Sequence, residues 1–205
     1  MQSDNILRQR IIDHGEVFTP PGLVNDMLDL VAHECERIDS RFLEPACGDG
    51  NFLAEVLRRK LLTVDKKNAR NREKWERDAI LAVCSLYGID LLADNIAACQ
   101  DRLLAVVAET YDACHKTTLP DAVGRAVAFI LVKNIVQGDA LTFRTADDKP
   151  IVLSECRSAP LSAGSSAIDT ASSTASSRIF SIFHTVPRRW FRSSSRNQQR
   201  RTYAK

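Results

Sequence analysis

The sequence predicts an α/β fold in which a doubly wound, largely parallel sheet is flanked by helices. Apolar runs around 42–44, 87–90 and 135–139 end in the acidic residues Glu44, Asp90 and Asp139. Strands that alternate with helices form parallel sheets, and open sheets of this kind bind ligands at the carboxyl ends of their strands. The 205 residues, 44% of them hydrophobic, are enough for the core of one domain.

The segment 42–52, FLEPACGDGNF, carries the most specific pattern in the chain. Gly48 and Gly50 allow a tight turn with positive φ and close approach of the backbone to a ligand. A dinucleotide-binding loop would need a third glycine where this chain has Leu53. Glu44 would place a carboxylate at the end of the first strand, which suits a cationic ligand. A glycine turn without a ligand is the alternative.

This segment resembles motif I of the S-adenosylmethionine-dependent DNA adenine-N6 methyltransferases of restriction-modification systems, whose usual form is D/N/E-P-A-C-G-x-G-x-F. The resemblance implies a Rossmann-like methyltransferase sheet and S-adenosyl-L-methionine as the cofactor. On this basis the cofactor-binding residues of the segment are Glu44, Pro45, Ala46, Cys47, Gly48, Gly50, Asn51 and Phe52.

The preceding segment 15–21, GEVFTPP, predicts the start of a helix that Thr19 caps and Pro20 or Pro21 opens. The apolar residues at helical spacing in that helix are Leu23, Met27, Leu30 and Val31. Alone, this is an ordinary helix entry. It also resembles motif X of the same family, which contributes to the pocket around the methionine end of the cofactor. The resemblance therefore adds Phe18, Thr19 and Pro20 to the candidate site.

Asp90 ends the predicted second strand, and Asp94 or Asn95 is expected to cap the next helix. The apolar positions of that helix are Ile96, Leu103 and Val107. The family resemblance makes Asp90 the motif II ligand of the ribose hydroxyls and Leu91 a packing surface for the adenine ring. A role for Asp90 as a helix cap alone is the alternative.

An insertion is expected between Gly50 and Asp90, because this interval is about twice the roughly 20 residues of a minimal βαβ unit. The charged stretch 58–78 around Trp75 predicts a solvated helical excursion, with phosphate contact as the alternative.

A third strand is predicted from two neighbouring segments. The run 128–132, AFILV, predicts a buried strand, and IVQGDAL follows at 135–141. The second segment resembles motif III of the family, in which the aspartate accepts a hydrogen bond from the adenine amino group of the cofactor. This adds Asp139 and Ala140 to the candidate site. Gly138-Asp139 also makes a common turn.

Composition excludes several other classes of site. The six cysteines form no C-x-x-C pair and the four histidines have no metal-ligand spacing, so neither disulfides nor a metal site is predicted. Cys47 follows Ala46 and does not match the proline-cysteine nucleophile of cytosine-C5 methyltransferases. No apolar run approaches the roughly 18 residues of a membrane span and no signal peptide is recognisable, which predicts a cytoplasmic protein without a membrane partner.

Charge divides the chain into two predicted regions. Residues 156–205 contain nine basic residues and one acidic residue, a net charge of +8, against −6 for residues 1–155. We expect 1–155 to be the S-adenosylmethionine-binding region and 156–205 to be a disordered basic tail rich in Ser and Arg. The tail is either an arm that binds nucleic acid or the product of a shifted reading frame or truncation.

The catalytic loop of the family has no match in this chain. Adenine-N6 enzymes flip the base and hold it with a [D/N/S]-P-P-[Y/F/W] loop, whereas the one Pro-Pro pair here is Pro20-Pro21, inside the motif X segment. No catalytic residue is therefore assigned, and enzymatic activity is left open. The resemblance implies DNA and a target-recognition subunit as partners. The alternatives are a non-catalytic cofactor-binding or partner-supporting module, an inactive remnant, or methyl transfer to RNA, protein or a small molecule.

Overall fold

The computed structural model describes residues 19–155, so Phe18 and the predicted tail 156–205 lie outside the described residues. Helices and strands alternate in this range in the order α1 (Pro21–Asp29), α2 (Ala32–Cys35), β1 (Phe42–Glu44), α3 (Asn51–Asn68), α4 (Arg72–Cys84), β2 (Leu86–Asp90), α5 (Ala93–His115), α6 (Asp121–Asn134) and β3 (Ile135–Gln137). Two helices connect each pair of consecutive strands. None of the helices described here is both long enough and apolar enough to cross a membrane.

The three strands form one parallel sheet in the order β1-β2-β3. Glu44 pairs with Gly88 at the end of β1, and Asp90 pairs with Gln137 at the end of β2. The prediction of a mixed α/β fold with a parallel sheet flanked by helices is therefore confirmed. The register brings the carboxyl ends of all three strands to one edge of the sheet.

The insertion between β1 and β2 is helical, as expected, but it is not simply solvated. Helix α4 places Trp75 in the core with no exposed surface. The indole ring meets the Tyr111 ring edge-on at 5.1 Å between centroids, and its N–H donates to Asp65. The interpretation of Trp75 as part of a solvated face is wrong, because α4 packs on α3 and α6 and the Trp75 ring contacts Tyr111 and His115 of α5.

The predicted strand at 128–132 is also wrong, since these residues lie within α6. The buried residues of α6 recur at helical spacing, at Val123, Val127, Ile130, Leu131 and Asn134. Phe129 and Val132, inside the apolar run, are more than half exposed. The strand begins only at Ile135, so the adjacent segment supplies the third strand alone.

Helix α1 begins at Pro21 as predicted, but its cap and its buried face differ from the prediction. Pro20 is the N-cap, and no side chain caps the helix, so Thr19 does not have that role. The buried residues of α1 are Val24 and Leu28, whereas the four apolar residues named from the sequence are exposed to differing degrees. Arg59 of α3 connects the two helices by donating to Asp29 of α1 at 2.8 Å.

Helix α5 begins at Ala93 with Leu92 as its N-cap, so neither Asp94 nor Asn95 caps it. Asp90 takes over part of that role by accepting hydrogen bonds from the Leu92 N–H at 2.9 Å and from the Asn95 side chain at 3.2 Å. The predicted apolar positions of this helix, Ile96, Leu103 and Val107, are buried. The helix is therefore fixed to the carboxyl end of β2 by the strand-end carboxylate.

Candidate functional site

The candidate site is built where the chain leaves β1 and crosses the end of β2. After Glu44 the backbone turns, and the Cys47 N–H donates to the Ile89 carbonyl at 3.0 Å. Gly48 has φ of 51° and Gly50 has φ of 88°, both in the left-handed region that favours glycine. Gly50 is also the N-cap of α3. The sequence expectation of strand, glycine turn and helix start at this point is confirmed.

Asp90 connects the three strand ends. Its carboxylate accepts a hydrogen bond from the Gly48 N–H at 2.9 Å, and its backbone carbonyl accepts one from the Gly138 N–H at 2.9 Å. Together with its bonds to Leu92 and Asn95, three protein donors reach the carboxylate. A carboxylate has about four acceptor positions, so capacity for a further donor such as a hydroxyl remains.

Glu44 brings a partly buried carboxyl group to the end of β1. Burial raises the pKa of this carboxyl to about 7, and the hydrogen bond that it accepts from the Ala46 N–H at 3.3 Å offsets only part of that effect. A desolvated carboxyl group gains most from a nearby positive charge. This site therefore has the electrostatic property that a cationic ligand would use.

Two cysteine thiols lie beneath the turn. Cys47 is 5% exposed and Cys99 of α5 is fully buried. A hydrogen bond with the Cys99 thiol and burial together raise the pKa of the Cys47 thiol, so Cys47 stays protonated and is a packing residue. A Cβ on Gly50 would lie 2.7 Å from the Cys99 sulfur. Cys99 of α5 is thus the neighbour that leaves no room for a side chain at position 50.

Asp139 lies just beyond β3 and closes its own turn. Its carboxylate accepts from the Leu141 N–H at 2.7 Å and from the Thr142 hydroxyl at 3.0 Å, and these bonds lower its pKa. Asp139 also pairs with Arg144 in an isolated antiparallel bridge. The turn that the sequence suggested as an alternative is present, with Ala140 inside it, and the proposed bond to an adenine amino group stays a prediction.

The remaining predicted residues lie at differing depths around this edge. Pro45 is half-buried and Ala46 exposed in the turn, while Asn51 and Phe52 open α3 and are half-buried. Leu91 is 57% exposed after β2, as a surface that packs on a ligand would be. Thr19 and Pro20 lie at the start of α1, which packs on α3, and the structure gives them no side-chain role at the strand ends.

Arg102 of α5 lies at the glycine turn and was not among the predicted site residues. Its guanidinium lies 2.5 Å from Asp49 Oδ2 and also donates to Asn51 Oδ1, so it contacts both neighbours of Gly50. The signal for it was weak: Arg102 follows Cys99 by three residues and therefore shares its helix face. Only the packing of α5 against the turn reveals the contact.

A separate cavity of about 720 Å³ opens at the amino ends of the strands. The described residues around it include Arg41, Ser85 and Glu155, and none of the predicted site residues. Arg41 forms an ion pair with Glu155 there. This cavity lies at the opposite end of the sheet from the glycine turn.

Comparison with known proteins finds no matching family model, no matching curated protein and no matching solved structure.

Proposed function

We propose that residues 1–155 are the S-adenosylmethionine-binding region of a DNA adenine-N6 methyltransferase of the restriction-modification type. The observation that carries the proposal is the arrangement around Asp90, which joins a turn of two left-handed glycines to the carboxyl ends of β2 and β3. Open parallel sheets bind their ligands at this edge. The matching motif I residues lie in that turn.

The chemistry of the site fits the cofactor. S-Adenosylmethionine carries positive charge and ribose hydroxyls. Glu44 offers a desolvated carboxyl at the strand end, and Asp90 keeps acceptor capacity for a hydroxyl. Leu91 offers exposed apolar surface for the adenine ring. These three residues would hold the cofactor, and the glycine turn would lie beside them.

In the complete reaction, the cofactor would supply an activated methyl carbon that adenine N6 attacks. The bond from that carbon to sulfur would break, the demethylated cofactor would leave, and N6 would lose a proton, with no covalent intermediate on the protein. The described part of the chain contributes binding and orientation of the cofactor. The doubly wound methyltransferase sheet is also part of this proposal, because three parallel strands with β1 at one end correspond to one half of such a sheet. DNA and a target-recognition subunit are the proposed partners.

A non-catalytic cofactor-binding or partner-supporting module is the second candidate. The specific observation in its favour is the lack of a [D/N/S]-P-P-[Y/F/W] tetrapeptide in the 205 residues. An enzyme of this class needs that loop to hold the flipped base.

Titration calorimetry of the full chain with S-adenosylmethionine tests the proposal. We expect saturable binding that Gly48→Val abolishes, because a β-branched residue opposes the left-handed backbone at φ of 51°. Gly124→Val is the matched control, since a Cβ at Gly124 meets only Leu119, at 3.9 Å. No binding at millimolar cofactor to folded protein would contradict the proposal.

A further inference from the structure

We propose that Arg102 is a positioning residue that holds the glycine turn in its cofactor-binding conformation, an inference that rests on the proposed function above. Its two terminal nitrogens contact Asp49 and Asn51, the residues on either side of Gly50. A single guanidinium therefore spans the left-handed residue at the start of α3. Arg102 belongs to α5 and lies 51 residues further along the chain than Asn51.

Helix α5 also contacts the glycine turn through Cys99, which lies three residues before Arg102. Cys99 fills the space beside the Gly50 Cα, where a Cβ would be 3.2 Å from the Cys99 Cα as well as too close to its sulfur. Residues three apart lie on the same face of a helix. Cys99 thus limits how closely the glycine turn can approach α5. Arg102 orients the Asp49 and Asn51 side chains on either side of Gly50.

The charge of Arg102 is matched to a partly desolvated acid. The Asp49 side chain is 25% exposed, and within the described residues its Oδ1 atom is buried without a hydrogen-bond partner. Removing Arg102 would leave this carboxylate with no cation at Oδ2. The turn would then lower its energy by moving Asp49 toward water, which displaces Gly48 and Gly50.

Lysine should replace Arg102 only in part. An ammonium group can pair with Asp49 but lacks the planar fork that reaches two separate acceptors at once. Arg102→Lys keeps the charge and the helix propensity, so it tests geometry in a protein that still folds. Arg102→Met removes the charge and keeps an unbranched chain of similar length.

The test combines hydrogen–deuterium exchange with calorimetry on the full chain. In Arg102→Met we expect exchange of the 46–51 amides to become about tenfold faster and S-adenosylmethionine binding to weaken about tenfold. Arg102→Lys should fall between this variant and the wild type. Arg41→Met is the matched control, because the Arg41–Glu155 ion pair has similar exposure and lies at the amino end of the sheet. Arg41→Met should change neither measurement.

Unchanged exchange at 46–51 in both Arg102 variants would overturn the proposal, and so would an equal increase in Arg41→Met. If Arg102→Met does not fold, Arg102→Lys decides the question alone. If the wild type does not bind S-adenosylmethionine, the proposed function fails, whereas the exchange measurement still shows whether Arg102 positions the turn.

Discussion

The three acidic residues at the strand ends, Glu44, Asp90 and Asp139, have different environments and hydrogen-bond partners. Glu44 is desolvated and its pKa is raised to about 7, whereas Asp139 accepts bonds from its own turn and its pKa is lowered. The Asp90 carboxylate accepts hydrogen bonds from three protein donors, at Gly48, Leu92 and Asn95. A bound cation would therefore change the ionisation of Glu44 more than that of Asp139.

We predict that cofactor binding depends on pH through Glu44. Because burial raises the carboxyl pKa to about 7, from 4.5, the ionised form that attracts a cation is lost as the pH falls through 7. Affinity measured by calorimetry should be about tenfold lower about one pH unit below that pKa than well above it. Glu44→Gln should bind weakly with little pH dependence over this window.

The linkage to stability has the opposite sign. A raised pKa in the folded state means that Glu44 favours folding below 4.5 and that this contribution is lost as the pH rises through about 7. Glu44→Gln should therefore be at least as stable as the wild type above pH 7. For cofactor binding, a Glu44→Gln variant with the wild-type pH dependence would contradict the prediction that Glu44 is the titrating group.

At the scale of elements, long helices position the short strands. Helix α3 starts at the glycine turn and carries Lys60, whose side chain is fully buried. Its ammonium donates to the carbonyls of Arg37 at 2.8 Å, Ile38 at 3.1 Å and Ser40 at 2.6 Å. These carbonyls belong to the connection from α2 to β1, so Lys60 fixes the entry of the chain into the strand that leads to the site.

We predict that Lys60→Met lowers the free energy of unfolding by about 2 to 4 kcal/mol, because it leaves buried carbonyl groups without a donor. Lys66→Met on the same helix is the control, since Lys66 is exposed and its loss should change stability by about 0.5 kcal/mol or less. Chemical denaturation measures both. Equal losses in the two variants would show that Lys60 does not hold the connection.

The wild type and Lys60→Met also provide a test of the pH dependence of stability. Burial lowers the pKa of Lys60 to about 8, from 10.5. The unfolded chain therefore binds more protons between these values, and the contribution of Lys60 to stability rises with pH across this window and falls as the pH drops through about 8. The stability difference between wild type and Lys60→Met should grow from pH 8 to 10.5.

At the scale of the whole molecule, the strands of the described three-stranded sheet differ in burial. Each residue of β1 is only half-buried, whereas the first four residues of β2 are buried, because β1 has one neighbouring strand within the described sheet and β2 has two. A doubly wound sheet would place β1 between strands on both sides. That part of the fold prediction stays a prediction.

We predict that this 205-residue chain alone does not methylate DNA, even if it binds the cofactor. Flipping a base costs a few kcal/mol, and the sequence contains no loop of the family type to receive it. Tritiated S-adenosylmethionine and mixed-sequence duplex DNA measure incorporation, with Gly48→Val as the background. Incorporation above that background would reveal an adenine-binding loop of another type.

The basic region gives a separate expectation at this scale. With a net charge of +8, residues 156–205 should support weak, salt-sensitive DNA association. Such binding would be phosphate attraction without sequence readout. It would not by itself support either methyltransferase activity or target recognition.

The sequence by itself determined where β1, β2 and β3 end, and it determined the glycine turn and the helix that follows it. These features depend on local patterns, namely the two glycines of the turn and the acidic residue at each strand end. The third strand and the role of Trp75 were decided by packing: an apolar run of five residues fits a buried strand or a helix equally well until its neighbours are known. Arg102 and Lys60 act on partners distant in the chain. Only the tertiary structure brings such partners within hydrogen-bonding distance.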